Sequence, residues 1–182
     1  MKRGTGDDGM TELPNRGRIS KASVELCAIG DLDELSATIG VVLSVLPLCC
    51  AEMEPLLVEV QRMLLRIGSF CAGYPGDAFK LVMDEALADL DRRVAALDDA
   101  LPVLHGFVLP GGHEAACAAH VARAVCRRAE RSFVAMVEAG AREAGAREAG
   151  AREADGAMCA VMAYLNRLSS FLFAVARVAS AK

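Results

Sequence analysis

The sequence predicts an all-α protein of one domain, folded as a bundle of five helices. Hydrophobic residues make up 54% of the 182 residues, yet only 4% are aromatic and tryptophan is absent. The core must therefore be built from alanine, valine, leucine and methionine, which suit closely packed helices. Apolar residues recur at intervals of three and four in successive segments, and no segment shows the alternation typical of a strand.

The first predicted helix runs from about Lys21 to Leu46. Its apolar stripe consists of Leu32, Leu35, Ile39, Val42, Leu43 and Leu46. Asp33 lies on the same face as Ile29 and Ser36. A lone carboxylate at such a position is usually a surface group, unless an arginine lies opposite it.

Two further helices follow. The second runs from Ala51 to Tyr74, where Gly73 and Pro75 end it, and the third runs from about Ala78 to Leu101, where Pro102 ends it. Their stripes contain Met53, Leu57, Val60, Met63, Leu64, Ile67 and Phe70 in the second helix, and Leu81, Leu87, Leu90, Val94 and Leu97 in the third. Both stripes predict helices that bury one face.

The fourth helix carries an unusual concentration of charge. Pro110 to Gly112 reads as a loop that leads into it, with Glu114 in the first turn. One face holds His120, Arg123, Arg127, Glu130 and Arg131, and a second, small and apolar face holds Cys117, Val121 and Ala124. The charged face is either solvated or directed at an anion. Guanidinium groups suit a polyphosphate, because the planar fork binds phosphate oxygens in a bidentate manner.

The fifth helix follows a tandem repeat. The segment 139–153 reads AGAREAGAREAGARE, and its period of five distributes every residue type around the helix axis. The repeat is therefore predicted to be an exposed connection. The fifth helix runs from about Ala157 to Ala179, with Val161, Leu165, Leu168, Leu172 and Val175 in its core stripe and Asn166, Ser170, Phe173 and Arg177 on another face. Asn166 is either a surface amide or a ligand contact.

Residues 1–20 are rich in glycine, aspartate and threonine, a composition that predicts a loop. Thr5 to Gly9 has the composition of a backbone nest for an oxyanion, with Arg3, Arg18 and Lys21 as nearby cations. A flexible tail is the alternative interpretation. The segment is not a Walker P-loop, because it lacks the required lysine and a preceding strand pattern.

Charge and cysteine content restrict the possible partners. The net charge of −4 gives no general attraction for nucleic acid or an anionic membrane. The seven cysteines are odd in number and form no C-x-x-C pair, so we expect reduced thiols and neither a disulfide framework nor a protein metal site. The longest apolar run, Gly40 to Ala51, is too short to span a bilayer. We therefore expect a cytoplasmic protein.

Several motifs resemble those of the PduO-type ATP:cob(I)alamin adenosyltransferases, and together they cover most of the chain. They are TGDDGMTEL at Thr5 to Leu13, the following Gly17, Arg18 and Lys21, GDLDEL at Gly30 to Leu35, FVLPGG at Phe107 to Gly112, RAVCRRAER at Arg123 to Arg131, and YLNRLS at Tyr164 to Ser169. Their order along the chain is that of the family.

The resemblance implies a homotrimer of ferritin-like five-helix bundles, with active sites between subunits. It implies that ATP contacts Thr5, Gly6, Thr11 and Lys21 near the N-terminus, and Arg127, Arg128, Glu130, Arg131 and Asn166 on the fourth and fifth helices. Mg²⁺ would help to neutralise the phosphates. Arg123 is expected to pair with Asp33 of the adjacent subunit.

For the corrinoid, the resemblance implies that Phe107 presses on the lower face of the corrin and displaces the dimethylbenzimidazole ligand. Four-coordinate Co(II) is then easier to reduce to the Co(I) nucleophile, which attacks C5′ of ATP and releases triphosphate. Phe171 is a second expected corrinoid contact. From composition alone, Phe107 is equally well explained as a plug over the end of the bundle.

Other functional classes remain open at this point. A non-catalytic carrier would bind the corrinoid and the nucleotide without turnover and deliver the cofactor to a mutase. A ferritin-like metal-carboxylate bundle would need a Glu-x-x-His motif, which the sequence lacks. The resemblance also allows a reductase and an adenosylcobalamin-dependent enzyme as protein partners.

Overall fold

The computed structural model describes residues 4–14, 16–74, 76, 78–144 and 151–180. It describes the side chains of all of these residues except 142–155. It contains the five predicted helices, and the all-α fold class is confirmed. They are α1 (Val24–Ser44), α2 (Glu54–Cys71), α3 (Phe79–Ala100), α4 (Glu114–Ala144) and α5 (Ala151–Ser180), with a short 3₁₀ segment at Leu48–Met53. Two residues with predicted roles lie outside the described residues. They are Arg3, predicted as a cation near the N-terminal loop, and Pro75, predicted to end the second helix.

Helix ends differ from the prediction where a capping residue determines the boundary. The helix α1 begins at Val24, because the hydroxyl of Ser23 accepts a hydrogen bond from the amide of Leu26 at 3.4 Å. The helix α2 begins at Glu54, and Pro55 occupies its first turn, where no backbone donor is required. Both helices are therefore shorter at their start than apolar spacing alone predicts.

The predicted N-terminal loop is wrong for eight residues, which form a hairpin. Strands β1 (Met10–Leu13) and β2 (Gly17–Ser20) pair antiparallel, from Met10 opposite Ser20 to Leu13 opposite Gly17. Strands of four residues are too short to display a clear alternation. The hairpin continues to Lys21, whose amide donates to the carbonyl of Gly9 at 2.9 Å, so the glycine-rich segment is attached to the start of α1.

The core lies between α4 and α5, with α1 against α4, α3 against α5 and α2 against α1. The buried stripe of α4 consists of Ala119, Ala122, Cys126, Ala129 and Phe133. The predicted small apolar face is instead exposed in this protomer, with Val121 56% exposed. Alanines on the buried stripe allow the neighbouring helices to approach α4 closely.

One segment of α5, Gly156–Ser180, is long and apolar enough to cross a membrane by length and composition, with a mean hydropathy of 1.5. Within its most apolar window, 56% of the residues are buried inside the protein. Its buried side chains include Leu165, Leu168 and Leu172, which belong to the main core. This helix therefore contributes to the main core of the bundle.

The repeat was predicted to be an exposed connection, and the side chains of most of its residues lie outside those that the structure describes. Its first residues, 139–144, continue α4, and its last, 151–153, belong to α5. Residues 145–150 lie outside the described residues. Alanine, arginine and glutamate favour helix strongly enough to extend both helices into the repeat despite its glycines.

Candidate active site

The charged face of α4 places several predicted residues together beside α5. The amide of Asn166 on α5 donates to Glu130 Oε1 at 3.1 Å, so these two predicted residues are in contact. The guanidinium of Arg131 donates to the carbonyl of Arg127 at 3.0 Å, and both arginines are exposed. In the described part of the chain, neither guanidinium forms a salt bridge with a carboxylate. This face therefore presents cationic charge that no carboxylate of the described residues neutralises.

Arg128, which is predicted to contact ATP, already pairs with two carboxylates of α1. Its Nε donates to Asp31 Oδ1 at 3.2 Å, and its Nη2 forms a close ion pair with Glu34. Ser132 adds a hydrogen bond to the other oxygen of Asp31 at 2.5 Å. The carboxylate of Glu34, followed by that of Asp31, raises the pKa of Arg128 above its ordinary value.

The contacts of Arg128 connect α4 to α1 and leave its charge compensated. The contact of Arg128 with ATP stays a prediction. Asp31 and Glu34 were missed in the sequence analysis, although their i, i+3 spacing places two carboxylates on one face of α1. Which arginine that face would contact was not visible from spacing alone.

Two buried polar atoms on α4 lack a hydrogen-bond partner in the described structure. They are Nε of Arg123 and Nδ1 of His120, which lie one turn apart. Asp33 is exposed on α1 and has no ion pair among the described residues. An unsatisfied buried donor is unusual in a folded protein. We therefore expect Nε of Arg123 to donate to an acceptor that the described residues do not supply.

His120 gives this region a pH dependence that can be tested. Its side chain is 5% exposed, and burial, followed by the charge of Arg123, lowers its pKa below the ordinary value of 6.5. Below pH 6.5 the unfolded chain therefore binds a proton at His120 more readily than the folded chain does. We expect the free energy of unfolding to decrease between pH 7 and pH 5, and to decrease less in His120→Gln.

Urea unfolding at pH 7 and pH 5 measures this difference. His105→Gln is the matched control, because His105 is exposed and its removal should leave the pH dependence of wild type. Equal dependence in His120→Gln and wild type would contradict the assignment.

The N-terminal loop is held by its own contacts. The Nζ of Lys21 donates to the carbonyl of Gly6 at 2.7 Å. A Cβ on Gly6 would lie 2.9 Å from that Nζ and 3.2 Å from the carbonyl of Met10, so a side chain at this position would have to shift the Lys21 ammonium group. Thr5 is exposed and Thr11 is half-buried on β1. Lys21 thus connects the loop to the start of α1.

Arg18, which we expected to supply charge to an oxyanion, is instead paired with Asp8. The amide of Met10 donates to the other oxygen of Asp8 at 3.1 Å. This backbone hydrogen bond, with Arg18 as a further contributor, keeps the pKa of Asp8 below its ordinary value. The cation of Arg18 is therefore compensated within the hairpin.

The two predicted aromatic corrinoid contacts lie in opposite environments. Phe107, in the segment between α3 and α4, is fully exposed at 109% relative accessibility. It does not plug the bundle, so that alternative is wrong. Phe171 is 0% exposed in the core of α5, and its contact with the corrinoid stays a prediction.

The fold and this site define a class of helical-bundle proteins that present an arginine-rich helix face beside an exposed aromatic loop. Residues 1–179 match the family model described as cobalamin adenosyltransferase. The chain therefore belongs to the cobalamin adenosyltransferase family.

Individual relatives match over nearly the whole chain. A cobalamin adenosyltransferase of Cupriavidus metallidurans is 41% identical over 174 residues, which cover 96% of this chain and 84% of the relative. A corrinoid adenosyltransferase of Bacillus subtilis is 32% identical, over 98% of this chain and 85% of its own. No large part of this chain is left without a counterpart.

Solved structures of a PduO-type ATP:corrinoid adenosyltransferase from Lactobacillus reuteri share the fold. A phenylalanine-to-histidine variant of that enzyme, complexed with cobalamin and ATP, matches with a TM-score of 0.81 and 27% identity, covering 100% of this chain and 91% of that one. An arginine-to-lysine variant, complexed with ATP, has a TM-score of 0.81 and 28% identity, over 100% of this chain and 94% of that one.

Proposed function

We propose that this chain transfers the 5′-deoxyadenosyl group of ATP to cob(I)alamin, forming adenosylcobalamin and releasing triphosphate. The observation that carries the proposal, beside family membership, is the cationic face of α4. There Arg127 and Arg131 have no carboxylate partner among the described residues, while the Glu130–Asn166 hydrogen bond joins α4 to α5. Such a face suits a ligand with several negative charges.

The reaction needs little covalent chemistry from the protein. Cobalt(I) donates an electron pair to C5′ as the bond from C5′ to the triphosphate oxygen breaks, and the leaving group gains negative charge. Guanidinium groups fixed beside that oxygen stabilise the transition state more than the ground state. We assign this role to Arg127 and Arg131. No side-chain nucleophile is required, because the corrinoid provides it.

ATP is proposed to lie between the N-terminal loop and the charged face. The loop contributes Thr5, Gly6, Thr11 and Lys21. The Nζ of Lys21 donates to the carbonyl of Gly6 at 2.7 Å, so its ammonium group lies against the backbone of the loop. Since the space beside Gly6 is filled by Lys21, a side chain at Gly6 would displace this cation.

Mg²⁺ is proposed as a co-ligand of the phosphates. Glu130 is the residue on the charged face that fits this role, because a carboxylate oxygen is a preferred magnesium ligand. One oxygen of Glu130 accepts a hydrogen bond from Asn166, which orients the carboxylate and leaves its second oxygen available for the ion. When bound, the ion would neutralise phosphate charge.

The corrinoid is proposed to bind against Phe107. A fully exposed phenylalanine is costly in water, and burial of an aromatic ring on a flat macrocycle compensates this exposure. Valines and leucines of the same segment, Val103, Leu104, Val108 and Leu109, are exposed as well. Together these side chains form an apolar surface suited to a corrin ring.

A homotrimer is proposed to complete the site. Arg123 has a buried Nε without an acceptor, and Asp33 has no cation partner in the described protomer. A pair between Arg123 of one subunit and Asp33 of the next would satisfy both. The exposed small face with Val121 lies on the same helix and offers apolar surface for that contact.

A charge swap tests the proposed pair. Asp33→Arg and Arg123→Asp should each reduce the trimer fraction in sedimentation velocity, because each places like charges opposite one another. The double variant should partly restore it. Asp84→Arg is the control, since Asp84 pairs within its own helix with Lys80 at 2.5 Å. Silent single variants would exclude the cross-subunit pair.

The reaction itself is tested by mixing the protein with cob(I)alamin and ATP and following the corrinoid spectrum and the released triphosphate. Formation of adenosylcobalamin with an equal amount of triphosphate supports the enzyme. Binding of ATP without triphosphate release would instead indicate a carrier that delivers its ligand to a mutase. A reductase that supplies Co(I) is a proposed partner, because the reaction consumes that reduced state.

A further inference from the structure

The segment that carries Phe107 has few contacts of its own. It connects the end of α3 at Ala100 with the start of α4 at Glu114 and contains no helix or strand. Its apolar side chains are exposed, so they do not anchor it to the core. A loop of this kind keeps an aromatic side chain in place only if other residues hold its ends.

The end of the loop nearest α3 is held by α5. Arg177, in the last turns of α5, donates from Nη2 to the carbonyl of Pro102. Its Nη1 also lies 3.7 Å from Asp98 Oδ1, near the end of α3. The side chain of Arg177 is only 13% exposed, so this contact is largely protected from water.

The other end of the loop lies against the last turn of α5. Gly112 has a positive φ of 94°, and a Cβ built on it would lie 3.4 Å from the hydroxyl of Ser180. In the first turn of α4, Ala115 and Ala116 pack against Ala179. Both stems of the loop are thus set by the final turns of one helix.

Arg177 is itself fixed in place. Its guanidinium carbon lies 6.0 Å from the centroid of the Phe173 ring, and that ring lies 6.0 Å from the ring of His120 on α4. A cation over an aromatic face is attracted by the ring electrons. The guanidinium therefore has three neighbours, Phe173, Asp98 and Pro102.

We propose that Arg177 is a positioning residue that holds the loop so that Phe107 meets the corrinoid. The proposal rests on the proposed function, in which Phe107 contacts the lower corrin face. Arg177 acts through the backbone at Pro102 and does not touch ATP or the reacting atoms. Its loss should therefore affect the corrinoid step and leave the affinity for ATP unchanged.

A double-mutant cycle with Phe107 tests this coupling. Arg177→Ala is expected to lower kcat with cobalamin by about tenfold, with the KM for ATP unchanged and a smaller defect with cobinamide, which has no lower base. If Arg177 acts through Phe107, the Phe107→Ala and Arg177→Ala double variant should be no slower than Phe107→Ala alone. Arg177→Lys, which keeps a donor and a charge, should recover part of the rate. Multiplied defects in the double variant would overturn the proposal.

The rate of chymotrypsin cleavage after Phe107 measures how firmly the loop is held, independently of activity. The fragments are identified by mass spectrometry. Cleavage should be several-fold faster in Arg177→Ala than in wild type, under conditions where thermal unfolding shows both proteins to be folded. An unchanged cleavage rate would overturn the positioning role, whatever the outcome for catalysis. Faster cleavage together with a silent Phe107→Ala would leave Arg177 as the anchor of the loop and refute the proposed role of Phe107 instead.

Discussion

Replacement of Arg127 with alanine is expected to reduce adenosylation by about 30-fold to several thousand-fold, the equivalent of about 2 to 5 kcal/mol of transition-state stabilisation. The structure leaves the guanidinium of Arg127 without a carboxylate partner among the described residues, so its charge is available to triphosphate. Phosphate charge that develops in the transition state would lose its compensating cation. The rate is measured from the spectrum of the corrinoid at saturating ATP.

The matched control for Arg127 is Arg92→Ala. Arg92 is an exposed arginine on α3, where it pairs with Asp89 of the same helix at 3.0 Å. Surface pairs of this type contribute little to stability, so this variant should retain wild-type turnover. An activity of Arg127→Ala within threefold of wild type would remove Arg127 from the site.

Phe107→Ala should slow turnover strongly with base-on cobalamin while the affinity for ATP remains nearly constant. The ring is fully exposed in the protomer, so its removal costs no core packing and the variant should unfold at the temperature of wild type. With cobinamide there is no base to displace, and the defect should become smaller. Steady-state kinetics with the two corrinoids measures the difference.

Leu81→Ala is a control for Phe107, because it removes an exposed apolar side chain, 58% accessible, near the start of α3. It should not change the ratio of rates with the two corrinoids. Equal defects with cobalamin and cobinamide in Phe107→Ala would mean that the side chain does not displace the lower ligand. A large fall in melting temperature would instead indicate a packing role.

The exposure of Phe107 illustrates why the loop could not be interpreted from composition. An aromatic residue in a short connection is as compatible with a plug as with a ligand surface, and only the position of the surrounding helices decides between them. Phe171 shows the converse. It follows shortly after the YLNRLS motif that contains Asn166, yet the turn of the helix places Phe171 in the core and Asn166 on the surface.

The sequence by itself determined the five helices, the apolar stripes of α1, α2 and α5, and the arginine face of α4, because helical periodicity is a local property of the chain. The motif order also placed the chain in its family. The hairpin was missed because four-residue strands carry too few positions for a pattern. The start of α5 was placed too late because this helix extends into the repeat.

Only the tertiary structure decided which arginine of α4 pairs with carboxylates of α1. Arg127, Arg128 and Arg131 are similar in sequence, but α1 brings Asp31 and Glu34 to Arg128 alone, across separations of 97 and 94 residues. The tertiary structure likewise brought Arg177 to Pro102, across a separation of 75 residues. Such contacts depend on the packing of whole helices against one another. Because pair energies fall with distance, this packing pairs Arg128 with carboxylates and leaves Arg127 and Arg131 without a carboxylate partner among the described residues.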